Sequence, residues 1–228
     1  MEGMALRGGV MPNKIPAWTA SSMDAFTSCP YKYYRLRVAK DVKDLPRSES
    51  ALWGSKVHKI FEDHINWGDP LPAEFKKWEK LAEKIKAMPG EKLPEFRFSI
   101  DEAYRECPWK EAWCRGAADL VIRNGSTAVI IDYKTGKRKP SDQLSLYAAF
   151  AFAYWPEVTT VHTAYVWLKD QKIDRNTYTR EDIPKIWEIW LPLVARMNRA
   201  YDTGSWPARP SGLCRGWCPV TECQFCGE

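Results

Sequence analysis

No stretch of this 228-residue sequence approaches the roughly 20 consecutive apolar residues that a membrane-crossing helix needs. The N-terminus also lacks the apolar core of a secretory signal. A membrane protein is therefore not expected, and the expected location is the cytoplasm. There is no internal repeat, no low-complexity linker and no P-loop. Charge of one sign is also scarce: 34 Lys and Arg against 29 Asp and Glu leave +5, too mild an excess to name a partner. Hydrophobic residues at 45% and charged residues at 28% exclude general disorder.

Trp and Cys are abundant. The chain has 12 Trp, most of them expected in the core, and 7 Cys, four of which fall in Cys214-Arg-Gly-Trp-Cys218-Pro-Val-Thr-Glu-Cys223-Gln-Phe-Cys226. Without a secretory segment a disulfide framework is not expected, and thiolates this crowded in a reducing cell hold a metal. Pro219 with Gly212, Gly216 and Gly227 supplies turns that point sulfurs inward. Two readings stand at this level: a four-Cys zinc knuckle or an iron–sulfur cluster. Cys29, in Ser-Cys29-Pro30, is a further candidate ligand. Cys107 and Cys114 read as small hydrophobes of a strand region.

Residues 1–20 read as a loose arm and 21–228 as one domain that includes a Cys-rich segment, 212–226. Ser21 with Asp24 resembles a capping box for a helix running to about Val38. Trp53, Val57, Ile60 and Phe61 recur at helical spacing over 49–66, and a more exposed helix is expected over 73–87. The period then shortens. Strands are expected over 93–100, 113–123 and 126–133, the last two joined at Asn124-Gly125. A helix over 141–154, strands over 158–168 and 172–178, and a Trp-rich helix over 182–202 complete the order. This implies a mixed α/β fold, a central mixed sheet flanked by helices.

The strand Ala128-Val-Ile-Ile-Asp132-Tyr133-Lys134 turns polar at its end. Residues two apart on a strand share a face, so Asp132 and Lys134 project together. Across the hairpin lies Arg115-Gly116-Ala117-Ala118-Asp119, where Asp119 can approach Asp132. Converging carboxylates repel unless a cation joins them, and hard oxygen donors suit Mg²⁺ or Mn²⁺. Gly116 and the two alanines would keep the strand surface low for a bulky substrate. His58, one helical turn after Gly54, becomes a plausible ligand beside such a pair. Glu95 either adds a carboxylate or is simply solvated. Gln143 and Tyr147 share one helix face at i, i+4. The loop Lys134-Thr-Gly-Lys137-Arg138-Lys139 brings cations that favour a phosphate-bearing substrate.

In that order, Gly54-x3-His58, Glu95, Gly116-x2-Asp119, Asp132-x-Lys134 and Gln143-x3-Tyr147 resemble the RecB-like branch of the PD-(D/E)xK nucleases, which includes CRISPR-associated and phage exonucleases. The resemblance spans about residues 20–226 and implies a restriction-endonuclease-like domain. Iron–sulfur members join their two chain ends around a [4Fe–4S] cluster through one N-terminal Cys-Pro and three C-terminal Cys. By that likeness Cys29, Cys214, Cys218 and Cys223 are ligands and Cys226 is spare. The tail spacing here, x3 then x4, departs from the usual x2 then x5 and keeps structural Zn²⁺ as the alternative.

The resemblance implies a Mg²⁺- or Mn²⁺-dependent deoxyribonuclease of DNA recombination or repair. Asp119 and Asp132 hold metal with His58 and the Tyr133 carbonyl, and Glu95 is counted with the catalytic carboxylates. Lys134 orients or deprotonates the attacking water. Gln143, Tyr147, Lys137, Arg138 and Arg115 contact DNA. Single-stranded DNA cut from an end, 5′→3′, is the expected substrate, with a helicase or recombination protein as partner. The alternatives are a structure-specific or duplex endonuclease and a non-catalytic nucleic-acid-binding module with a zinc knuckle.

Overall fold

A computed structural model of the chain describes residues 15–227; positions 1–14 of the expected arm lie outside the described residues. The order begins with α1 (Ala20–Ser28), α2 (Pro30–Tyr33), a π-helical turn (Tyr34–Val38), α3 (Glu49–Trp67), a 3-10 turn (Ala73–Trp78) and α4 (Glu79–Lys86). It continues with β1 (Glu91–Ile100), β2 (Cys114–Asn124), β3 (Thr127–Lys134), α5 (Gln143–Tyr154), β4 (Thr160–Trp167), β5 (Lys172–Thr179) and α6 (Ile183–Thr203). The described residues form two compact units: 15–46 together with 188–227, and 47–187.

In the first unit the opening helix is shorter than expected and is capped elsewhere. Thr19, two positions before Ser21, is the N-cap: its Oγ1 accepts from the Ser22 amide at 3.0 Å, and the Ser22 hydroxyl accepts from the Thr19 amide at 2.8 Å. α1 stops at Ser28 because Pro30 pushes Cys29 out of the helical region, to φ −161° and ψ 104°. Cys29 then caps α2, its Sγ accepting from the Lys32 amide at 3.5 Å. Trp18, inside the segment expected to be loose, is buried and stacks on Trp190 at 5.6 Å. Tyr33 and Tyr201 pack on Trp206.

The second unit is a five-stranded sheet in the order β1-β2-β3-β4-β5, antiparallel except where β3 and β4 run parallel. The β2–β3 hairpin closes on the pair Asn124↔Thr127. Gly125 takes the first central turn position with φ 57°, the left-handed value a two-residue hairpin needs there. α3 starts at an N-cap, Ser48, and ends on Gly68 at φ 76°. Its stripe Val57–Phe61 packs with Phe75, Trp78 and Ile85 against Leu120, Ile122, Ile131 and Tyr133 of the sheet. Residues such as Phe61 and Phe75, with no exposure, contribute roughly 1.5–3 kcal/mol each. Most Trp are indeed buried; Trp53, Trp67, Trp109 and Trp217 are exposed.

α5 is apolar all round and buried from Leu144 to Phe152. The glycine of β2 explains how closely it lies. A Cβ at Gly116 would stand 2.4 Å from Tyr147 Cε1 and 3.0 Å from Phe150 Cε2. Gly116 therefore serves helix-on-sheet packing and not substrate access; of the low triplet only Ala117 is exposed. Gly116→Ala is expected to cost about 1–3 kcal/mol through overpacking. A lowered urea midpoint at unchanged m-value would register it, and an unchanged midpoint would contradict this packing.

Candidate active site

The site forms where β2 and β3 part. Their ladder ends at Leu120↔Ile131, one step short of a rung between Asp119 and Asp132. Instead, the Tyr133 amide donates to Asp119 Oδ2 at 2.6 Å. The side chain thus replaces the missing ladder acceptor, which anchors the carboxylate. On the other side of that residue, the Tyr133 carbonyl lies 2.8 Å from His58 Nε2, and His58 Nδ1 is 3.2 Å from Asp119 Oδ1. One peptide unit therefore organises both side chains, while the Tyr133 ring is buried against Phe61 at 4.4 Å. α3 approaches closely because Gly54 has no Cβ; one there would sit 3.2 Å from Thr135 Oγ1.

Glu95 joins from β1. The flanking pairs Pro94↔Leu120 and Phe96↔Ala118 set it opposite Asp119. Its φ is 49°, a left-handed value that costs a non-glycine residue about 1 kcal/mol or more and recurs at functional sites. His58, Glu95 and Asp119 each offer a ligand atom within 4.8 Å of the others. Burial and then the Asp119 charge raise the Glu95 pKa, against the opposing pull of His58 and Arg97. For His58, burial opposes protonation, but the hydrogen bond to Asp119 and its charge, with that of Asp132, outweigh it and raise the pKa above the usual value.

Asp132 and Lys134 share a face as expected, with Lys134 Nζ 2.7 Å from Asp132 Oδ2. The Lys134 ammonium is thus the ion-pair partner of this buried oxygen. Gln143 ties the group together: its Nε2 donates to Asp132 Oδ1 at 3.3 Å and to the Tyr147 hydroxyl at 2.8 Å, and its Oε1 accepts from Lys134 Nζ at 3.4 Å. Asp132 is 3% exposed. Burial, followed by the Asp119 charge, pushes its pKa up to about 6. The two aspartates thus sense each other, but the atoms that lie together are those of His58, Glu95 and Asp119, while Asp132 is held by Lys134 and Gln143. The Tyr133 carbonyl is implied by the resemblance, but the hold of its amide on Asp119 has no sequence signature, because any residue supplies the same amide.

The expected DNA contacts separate into two kinds. Lys137 is exposed, whereas the Arg138 guanidinium is taken by Asp174, Nε to Oδ2 at 2.7 Å. Tyr147 is buried and positions Gln143.

In the other unit, Cys29, Cys214, Cys218 and Cys223 line one cavity of about 230 Å³ that Cys226 does not line. Among the described residues no three of these sulfurs lie within 4.8 Å of one another. The Arg209 amide donates to Cys29 Sγ at 3.4 Å, as the Lys32 amide does.

The sequence matches the family model of the PD-(D/E)XK nuclease superfamily over residues 17–224. The chain belongs to this superfamily. No curated protein matches it significantly in sequence. Among solved structures it is similar to a candidate exonuclease from Eubacterium rectale, with 14% identity, TM-score 0.52, and coverage of 92% of this chain and 86% of that one. It is also similar to the protein SSO0001, with 14% identity, TM-score 0.48, and coverage of 94% and 89%. The likeness to the Eubacterium rectale protein concerns the fold alone. Among the described residues of this superfamily member, no helix is long and apolar enough to cross a membrane.

Superfamily nucleases use divalent metals, and the donor set here fits one: two carboxylates and an imidazole, hard oxygen and borderline nitrogen donors, converge within 4.8 Å of one another. His58 must lose a proton before its nitrogen can ligate, so protons and metal compete. Because its pKa is raised above about 6.5, divalent-ion affinity is expected to climb as pH rises through neutrality and to fall below it. Titration calorimetry in buffers of different ionisation heat should show proton release on ion binding; a pH-independent affinity without proton release would contradict the assignment.

Proposed function

We propose that the protein is a divalent-metal-dependent DNA exonuclease that acts on single strands from an end, with 5′→3′ polarity. The observation that carries this reading is the convergence of His58, Glu95 and Asp119 beside the Asp132–Lys134 pair. Asp119, His58 and Glu95 would hold the metal, with Asp132 and the Tyr133 carbonyl next to them. A divalent ion bound there supplies a water of lowered pKa and neutralises charge building on the scissile phosphate.

The chain's own residues do the rest. Lys134 supplies a compact cation at the position where the attacking water and the pentacovalent phosphate need one. Gln143 keeps the ammonium and Asp132 in register, since its amide touches both. Asp119, fixed by the Tyr133 amide, needs no reorganisation to accept a cation. A merely nucleic-acid-binding protein would gain nothing from coupled buried carboxylates that repel phosphate.

We also propose that Cys29, Cys214, Cys218 and Cys223 hold a [4Fe–4S] cluster that ties the N-terminal helices to the C-terminal segment in a structural role. Their shared cavity supports this, as do amides directed at Cys29 Sγ, because hydrogen bonds to sulfur stabilise cluster thiolates. A mononuclear zinc site, with four thiolates at Zn–S bonds of about 2.3 Å, is the alternative. Anaerobically purified protein is expected to be brown with a broad near-visible band, which Cys29→Ser bleaches and Cys226→Ser preserves. A colourless protein with stoichiometric zinc would contradict the cluster.

The activity is tested with a single-stranded oligonucleotide labelled at either end and digested with Mg²⁺ or Mn²⁺. Exonucleolytic 5′→3′ cutting releases short products at once from a 5′ label and a descending ladder from a 3′ label. Internal cuts on end-blocked circles would instead identify an endonuclease.

A further inference from the structure

The first part of β2 and the facing part of β1 carry a cationic and aromatic layer that the catalytic reading leaves unused. Phe98 and Gly116 face α5, with Phe98 and Phe150 5.6 Å apart. Alternation therefore turns Arg97, Ala117 and Arg115 to the opposite side, where Arg97 and Ala117 are exposed partners in the ladder. Glu95 and Asp119 continue the same rows: Arg97 follows Glu95 by two residues and Arg115 precedes Asp119 by four. At about 3.4 Å per residue, the arginines stand roughly 7 and 14 Å along the strands from the carboxylates.

Trp109, from the segment joining β1 to β2, completes the layer. Its ring centre is 5.6 Å from the Arg97 guanidinium carbon and 5.0 Å from that of Arg115, and the side chain stays exposed at 38%. Arg35, Arg123 and Arg138 each have a carboxylate partner. Among the described residues neither Arg97 nor Arg115 has one, and the buried Arg115 Nε has no hydrogen-bond acceptor. Two guanidiniums gathered on one indole, with no carboxylate in ion-pair contact and only the Glu95 charge acting on Arg97 from farther along the strand, repel each other, a state that an arriving polyanion relieves. The exposed Ala117 leaves the floor beside them low.

We propose that Arg97, Trp109 and Arg115 form the seat of the substrate strand next to the cut: the guanidiniums take successive phosphates and an unpaired base stacks on the indole layer. The inference rests on the nuclease reading and adds the residues that would give the single-strand preference a physical seat. A duplex offers phosphates, but its base faces are already stacked on their neighbours; a single strand offers both phosphates and bases.

The experiment is fluorescence anisotropy of a labelled single-stranded oligonucleotide against the full chain in EDTA, over a range of salt. Trp109→Ala is expected to weaken binding about 10-fold, with Trp109→Phe retaining most of the affinity and an abasic strand indifferent to either change. Arg97→Gln and Arg115→Gln should each flatten the log–log salt dependence by about 0.7–1. Trp67→Ala, at an exposed Trp of α3 outside the layer, should change nothing. Far-UV circular dichroism and the melting temperature should match the wild type in every variant, which certifies an intact fold, while hydrolysis of a small diester, bis(p-nitrophenyl) phosphate, with Mn²⁺ by the wild type and Trp67→Ala tests the nuclease reading separately. If the diester is cut but strand binding and salt slope are untouched by all three positions, the seat is refuted while the nuclease reading stands. If the wild type cuts neither diester nor DNA, the nuclease reading fails, and the anisotropy series still decides the seat.

Discussion

Lys134→Ala is expected to reduce turnover of single-stranded DNA by about 10³-fold or more while substrate affinity changes only a few-fold. Removing a positioned proton donor or acceptor costs roughly 10²–10⁴-fold, and losing a cation aimed at a developing anion costs about as much. Lys134 is placed for either role, 2.7 Å from Asp132 and within reach of Gln143. The loss should fall on kcat, because the phosphate ground state has other cations, such as Lys137, to bind it. Lys134→Arg is not expected to rescue, since a planar fork cannot reproduce a compact ammonium at the same point. Single-turnover rates at saturating DNA check this. A variant that keeps near-wild-type turnover would remove Lys134 from the chemistry, and one that merely raises KM would recast it as a phosphate anchor.

Asp132→Asn is expected to abolish cleavage and, without metal, to make the fold more stable at neutral pH. The folded carboxyl has its pKa raised to about 6 by burial and the Asp119 charge, above the roughly 3.9 of an unfolded chain. Its contribution to stability is therefore complete below about pH 4 and is lost as pH rises through about 6. At pH 7.5 the loss is on the order of 3 kcal/mol, and the neutral amide escapes it. Metal-free melting at pH 7.5 should then occur about 5–10 °C higher in the variant than in the wild type. The two should converge near pH 4, and adding Mn²⁺ should narrow the gap at pH 7.5 by stabilising only the wild type. A variant that melts lower at neutral pH would mean that the Lys134 ion pair outweighs the burial and repulsion.

Much of the second unit was legible from spacing. The two-residue period of a strand brought Asp132 and Lys134 together, the Asn124-Gly125 turn joined β2 to β3, and i, i+4 placed Gln143 against Tyr147. What escaped the sequence depended on contacts between distant segments or on backbone groups that every residue carries. The left-handed Glu95 is visible only once β1 is laid beside β2. Gly116 reads as an open surface until α5 is seen lying on it. Arg138 counts as a free cation until β5 delivers Asp174. The expected continuous helix past Cys29 failed for a local reason, the constraint that proline sets on its predecessor, and that signal was available in Cys29-Pro30. Thr19 took the cap from Ser21 because both offer the same hydroxyl, and burial of the adjoining Trp18 accompanies the earlier start.

The measurement that bears most directly on the hydrolytic site is Mn²⁺ titration of the wild type and Asp119→Asn by calorimetry, paired with cleavage of end-labelled single-stranded DNA by the same samples. The wild type is predicted to bind the ion and degrade the strand, EDTA to stop degradation, and Asp119→Asn to lose binding and cleavage together. Cleavage that survives EDTA, or an Asp119→Asn protein that binds Mn²⁺ and cuts as the wild type does, would contradict a metal-dependent centre built on His58, Glu95 and Asp119.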